Sequence, residues 1–259
     1  MAVARNEKSD WLLQGTVAEL TSGQLSARID VARPNAGAQQ VQWNKITLAG
    51  PLLAVARDDD EALPRQTWPL SLAEAYARGD DLVASYSPSD QWPFSPQIYW
   101  RAAQVDACNA SSTALSLLVS VQTHLLDTRP CIRVGSQIAA DEIILIELGD
   151  DQAATIQELG RADRIFSPTA RASIVIVRLA AADYSYVEMM PASDFSQAAV
   201  RSTAGEMYET RWSLFADFLE KGVIWRARLN SLIVPRADDI ELATSICRAI
   251  DERPLPLTV

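Results

Sequence analysis

The chain is poor in the residues that most often carry chemistry. Its 259 residues include one histidine, three cysteines and ten glycines. A single imidazole, His124, excludes multi-histidine metal sites, the HExxH zinc motif and any mechanism that needs two imidazoles. Cys108, Cys131 and Cys247 are odd in number and lack CxxC spacing. That argues against a disulfide framework and for a reducing compartment, although Cys108 and Cys131 bridge if their strands adjoin. There is no GxSxG elbow, GxGxxG turn or phosphate-binding loop, so serine hydrolases and nucleotide-cofactor enzymes are disfavoured. No cofactor is expected. The acidic clusters Asp58-Asp59-Asp60-Glu61, Asp141-Glu142, Asp150-Asp151 and Asp238-Asp239 lack the EF-hand pattern. They read as solvated loops or helix starts, and no metal is expected.

Lysine is nearly absent, at 3 residues against 20 arginines, and no basic run exceeds two residues. With a net charge of −10, the chain repels a phosphate backbone, and no nucleic-acid partner is expected. No window approaches the ~20 apolar residues of a membrane-spanning helix. Residues 1–10 contain no apolar run of signal-peptide type. A cytoplasmic protein without a membrane partner is the expectation; oligomeric state is not indicated. The match Asn109-Ala110-Ser111 to a glycosylation sequon has no secretion signal to support it.

What the chain does have is an apolar fraction of 48% and abundant strand patterning. Leu25, Ala27, Ile29 and Val31 alternate with Ser26, Arg28 and Asp30, which places one face inward. Trp11 to Leu20 and Gln24 to Val31 read as a hairpin across Thr21-Ser22-Gly23. Gln97 to Ala107 and Thr113 to Leu126 read as a long antiparallel pair, with Leu115, Leu117, Val119 and Val121 on one face. Ile143 to Leu148 and Ile174 to Leu179 are near-continuous apolar runs expected to be buried on both faces. Tyr184 to Met190 places Tyr184, Tyr186 and Glu188 on one side, and Val223 to Val234 is a further strand. Helices are expected at Ser71 to Gly79, from a Ser71/Glu74 capping box, and at Asp150 to Gly160. Others are expected at Trp212 to Leu219, from helical aromatic spacing, and after Asp238, where Glu241 completes a second capping box. The economical fold class is mainly β, a large antiparallel β-sandwich over residues 1–259 as one domain. A few short helices accompany it, one near the C-terminus.

The densest feature is residues 86–101, which hold five of the eighteen aromatics, with Pro88, Pro93 and Pro96 between them. Prolines force irregular, extended backbone, so Tyr86 to Pro96 reads as a loop carrying rings. Sugar rings present apolar faces to aromatics and hydroxyls to planar polar groups. Trp92, Tyr99, Trp100 and Arg101, with Gln97, offer both kinds. Alternation sends Tyr99 and Trp100 to opposite faces, so only one of them can serve a given surface. Core packing is the plain alternative for the rings. Arg226 and Arg228 share a strand face and suit a carboxylate or sugar hydroxyls, or face acidic neighbours as surface residues. His124, close in sequence to Asp127 and Arg129 at a strand end, is a candidate general acid or base, or a rim histidine.

Residues 24–56 resemble the opening of the galactose-mutarotase-like supersandwich group. The parts are the alternating strand Leu25 to Val31, the turn Ala36-Gly37-Ala38, the strand Val41 to Leu48 and the apolar run Leu52 to Ala56. An immunoglobulin-like or jelly-roll sandwich shares much of this pattern. The resemblance implies a large sandwich with a concave, carbohydrate-facing sheet. Mutarotases of that group use a histidine acid and a glutamate base at the sugar's anomeric centre. This chain departs from that pattern in having one histidine, while Glu188 and Glu206 are the candidate bases. A non-catalytic relative that binds a carbohydrate or similar polar ligand is the leading expectation. The alternatives are an epimerase or lyase-like enzyme using His124 with a glutamate, and an interaction protein docking through the aromatic loop.

Overall fold

The computed structural model describes residues 10–58, 68–107, 110–149, 153–160, 163–180, 182–203 and 205–251. The Asp59-Asp60-Glu61 and Asp150-Asp151 clusters, Cys108 and the Asn109 sequon lie outside them. Cys131 carries a free thiol.

Five strands open the chain: β1 (Trp11–Gln14), β2 (Val17–Ser22), β3 (Leu25–Asp30), β4 (Ala38–Trp43) and β5 (Ile46–Thr47). They form one antiparallel sheet in chain order. The expected strand Trp11 to Leu20 is two strands, because Gly15 at φ +60° turns the chain between Gln14 and Val17. Gly37 is required for another reason. A Cβ there would lie 2.6 Å from the Leu52 carbonyl oxygen, where the chain passes toward the next strand.

The remaining strands are β6 (Ala54–Arg57), β7 (Ser71–Arg78), β8 (Asp81–Ser87), β9 (Phe94–Ala107), β10 (Ala110–Thr123), β11 (Ile132–Leu148), β12 (Ala154–Leu159), β13 (Arg164–Phe166), β14 (Ala172–Leu179), β15 (Tyr184–Pro191), β16 (Gln197–Ser202), β17 (Met207–Leu214) and β18 (Ile224–Pro235). They run β13-β16-β17-β11-β14-β15-β18-β10-β9-β8-β7, with β6 and β12 also paired to β11. The long strand β11 belongs to both halves. Ile132 to Ala139 pair with β17, and Ala140 to Leu148 pair with β14 across an irregularity at Ala140/Glu142. Bent this way, the sheet folds into two leaves. Side chains such as Leu117, Trp100, Val134 and Trp212 fill the space inside them, together with Leu20, Ile29 and Trp43 of the first sheet.

The larger leaf is buried on its other face as well, but only at one end. There the helix α1 (Asp239–Asp251) lays Leu242, Ala243, Ile246 and Cys247 on Ile144, Ile146, Ile174, Ile176, Val187, Leu232 and Val234. That explains the unbroken apolar runs in β11 and β14, since successive residues meet different cores. Arg178 pins the start of α1 with two bonds to the Asp239 carboxylate, at 2.9 and 3.1 Å.

Of the expected helices, α1 forms and three do not. Ser71–Arg78 is the edge strand β7, paired to β8. Ala154–Leu159 is β12, paired to the buried half of β11. Trp212 lies in β17, with Trp212 and Leu214 in the core, and Phe215 turns the chain at φ +58°. In each case a local capping or spacing match gives way to ladder pairing, with the neighbouring strand of the chain for β7 and β12 and with the distant β11 for β17. Among the described residues no helix is long and apolar enough to cross a membrane.

Candidate functional site

The aromatic loop is part of the core. Tyr86, Trp92 and Phe94 are 2%, 4% and 3% exposed, which removes them from any docking surface. Trp92 stacks edge-on against Trp68 and Phe94, and its indole N–H donates to the Pro130 carbonyl at 3.1 Å. The Tyr86 hydroxyl donates to the Val31 carbonyl at 2.6 Å, tying the loop to the first sheet. Trp100 is fully buried on the inner face of β9. The expectation that Trp92 and Trp100 touch a ligand is therefore corrected: rings that close the sandwich core have no face left for one.

The candidate acid–base residues are dispersed. His124 is exposed in a bend just past β10. Glu188 pairs with Ser231, which pairs with Leu115, nine residues before His124. That is on the order of 30 Å of strand. Glu206 is exposed at the turn before β17, where its carbonyl accepts from the Ala140 amide. The three do not assemble into one catalytic site.

Glu188 has a different environment. Strand alternation turns it into the core with Tyr186, as expected, and it is 0% exposed. Its Oε1 accepts from the Ser136 hydroxyl at 2.5 Å and from the Tyr186 hydroxyl at 3.0 Å, and its Oε2 accepts from the Trp212 indole at 2.7 Å. Ser136 Oγ accepts in turn from the Leu53 amide at 3.0 Å. Burial, with the Glu188 charge beside it, pushes the Tyr186 hydroxyl well above the usual phenol range. The cluster joins both leaves through β11, β15 and β17. A carboxylate that is sealed from solvent and held by three donors presents no oxygen to a substrate, so the base role expected of Glu188 is not supported by its surroundings. Ser136 and Trp212 were not legible beforehand, because only the folded leaves bring residues 136, 188 and 212 together.

The other candidates gather on the outer face of the larger leaf, on the part α1 leaves uncovered. Three rows cross β8, β9, β10 and β18. Ser85, Gln97, Ser120 and Arg226 form the first; Val83, Tyr99, Leu118 and Arg228 the second; Asp81, Arg101, Ser116 and Asn230 the third. Tyr76 of β7 extends the second row beyond Val83. Neighbouring strands are about 4.8 Å apart and same-face residues about 6.6 Å apart along a strand, so the rows tile a shallow polar platform. Val83 and Leu118 make its apolar floor, 2% and 5% exposed.

Most of the platform is internally satisfied. Arg101 grips Asp81 with two bonds, at 2.7 and 2.6 Å. Tyr99 donates to Gln97 at 2.5 Å and Gln97 to Ser85 at 2.8 Å, while Ser116 donates to Asn230 at 2.8 Å. Burial pushes the Tyr99 hydroxyl up, Tyr76 adds to this, and the Arg226 guanidinium opposes it. Of the expected ligand contacts, the fold brings Tyr99, Arg101, Arg226 and Arg228 to this one face and sends Trp92 and Trp100 to the core. Among the described residues no group of acids, histidine and cysteines is placed to hold a metal ion.

No protein-family profile and no curated protein sequence matches the chain. Solved structures do. A candidate aldose 1-epimerase from Escherichia coli K12 superposes with a TM-score of 0.58 at 9% identity, covering 85% of this chain and 99% of that one. The GH36 alpha-galactosidase AgaA from Geobacillus stearothermophilus gives a TM-score of 0.43 at 7% identity, covering 85% of this chain and 40% of that one. The first likeness shows the fold: a galactose-mutarotase-like sandwich, as the opening strands suggested. At this identity it carries no residue roles.

Proposed function

We propose that the protein is a non-catalytic module of mutarotase-like fold that binds a carbohydrate or similar polar ligand on the outer platform of β8, β9, β10 and β18. The observation that carries this reading is the alignment of Tyr99, Leu118 and Arg228 in one row, with Arg226 and Gln97 in the next. It sets an aromatic ring, an apolar floor and the guanidinium groups of Arg226 and Arg228 on one face, while the Gln97 amide is already engaged by Ser85 and Tyr99. The non-catalytic part of the reading is supported by the sealed Glu188 and its separation from His124, which do not form an acid–base pair across a cleft.

Calorimetric titration against neutral and acidic oligosaccharides tests the binding half. Tryptophan emission is a poor reporter, because Trp92, Trp100 and Trp212 are all in the core. The expected result is saturable binding that Tyr99→Ala abolishes. Binding that survives this change moves the ligand elsewhere. Polarimetry with galactose and glucose tests the other half: mutarotation proceeds at the uncatalysed rate, and acceleration that disappears in His124→Ala restores the enzyme reading.

A further inference from the structure

Arg226 and Arg228 differ from the arginines that form the ion pairs of the fold. Arg33, Arg101, Arg178, Arg211 and Arg236 all sit against carboxylates within 4 Å. Arg226 and Arg228 take part in none of the ion pairs among the described residues, although the chain carries ten more acids than bases. Arg228 is also only 9% exposed, and its Nε is buried with no hydrogen-bond partner. The nearby carboxylate of Asp194 is spent on neutral donors, the Arg228 backbone amide at 2.8 Å and the Ser193 hydroxyl at 2.7 Å. Asp81 is held by Arg101. A buried cation without an anion is unfavourable unless something outside the chain supplies the charge.

The two arginines are alternate residues of β18, so their side chains leave the same face about 6.6 Å apart and can converge on one anionic group. Tyr99 lies two strands away, about 10 Å from Arg228 across the Leu118 floor. A sugar ring fits inside that interval, resting on the tyrosine and the floor while an acidic substituent covers the remaining distance to the guanidinium pair. We infer that Arg226 and Arg228 form an anion clamp and that the ligand is an acidic sugar bearing a carboxylate, sulfate or phosphate ester. The clamp rests on the ligand face proposed above and adds to it the charge of the ligand.

The test is calorimetry with five probes: a uronic acid trisaccharide, its neutral methyl ester, a sulfated disaccharide, a phosphorylated monosaccharide and sodium sulfate alone. The acid is expected to bind at least about tenfold tighter than its ester, with an advantage that shrinks as salt rises. Arg226→Gln and Arg228→Met are each expected to cost about tenfold or more on the acid and clearly less on the ester, so that the preference for the acid narrows or disappears. Arg226 is only half-buried, so its variant keeps the test valid if Arg228→Met folds poorly. A preference among the carboxylate, sulfate and phosphate probes identifies the acidic group. Equal binding of acid and ester overturns the clamp while leaving the sugar site standing. Sodium sulfate binding as tightly as the sulfated sugar overturns the sugar site while leaving the clamp. Binding of no probe overturns both.

Discussion

Glu188 and Arg228 are both charged, and both are withdrawn from water, at 0% and 9% exposure. They differ in what surrounds them. Glu188 receives three hydrogen bonds from side chains on three strands. Arg228 has a buried Nε without a partner. Burial alone therefore does not separate a structural charge from a functional one; the hydrogen-bond balance around it does. The carboxylate, held by donors on three strands, ties two leaves together. The unsaturated guanidinium, beside a second unpaired arginine and a tyrosine, is the group that the proposed ligand would complete.

The contrast can be broken by substitution. The largest effect is expected at Glu188→Ala, which strands three buried donors and opens a cavity. Urea denaturation should show a loss of about 3–5 kcal/mol. A cost below about 1 kcal/mol would mean that the cluster does not hold the leaves. Tyr186→Phe removes one of the two donors on Oε1 and leaves Ser136 in place, so about 1 kcal/mol is expected. Arg228→Met should have the smallest effect on stability and the opposite tendency: unchanged, or higher by about 1 kcal/mol, because an unpaired buried charge is replaced by an apolar side chain of similar reach. A thermal melt reads this directly. A strongly destabilised Arg228→Met would place that arginine in the structural class with Glu188.

Much of the framework was legible in strands whose polarity alternates. The β9–β10 pair, the inward row Leu115, Leu117, Val119 and Val121, and the terminal helix all stand where the pattern puts them. The split of Tyr99 from Trp100 was legible for the same reason. The failures share a cause. Ser71 with Glu74 satisfies a capping box, and Trp212 with Phe215 satisfies helical spacing, but the first segment closes a hairpin with β8 and the second completes a ladder with the distant β11. A capping or spacing match inside one segment does not report the strand that the segment pairs with. For the same reason the ring-rich loop resembled a recognition surface, although Trp92 is anchored by Pro130, thirty-eight residues away.

From the sequence alone follow the β-rich class, the period-two faces, the shared face of Arg226 and Arg228, and the want of histidines for a two-imidazole mechanism. These are properties of composition and of neighbours along one strand. Only the tertiary structure decided that Glu188 is sealed by Ser136 and Trp212, that Trp92 and Trp100 are core, and that Tyr99 stands across β10 from Arg228. Strand order and register set those relations. Both come from the cooperative packing of the whole sheet, which no single segment encodes.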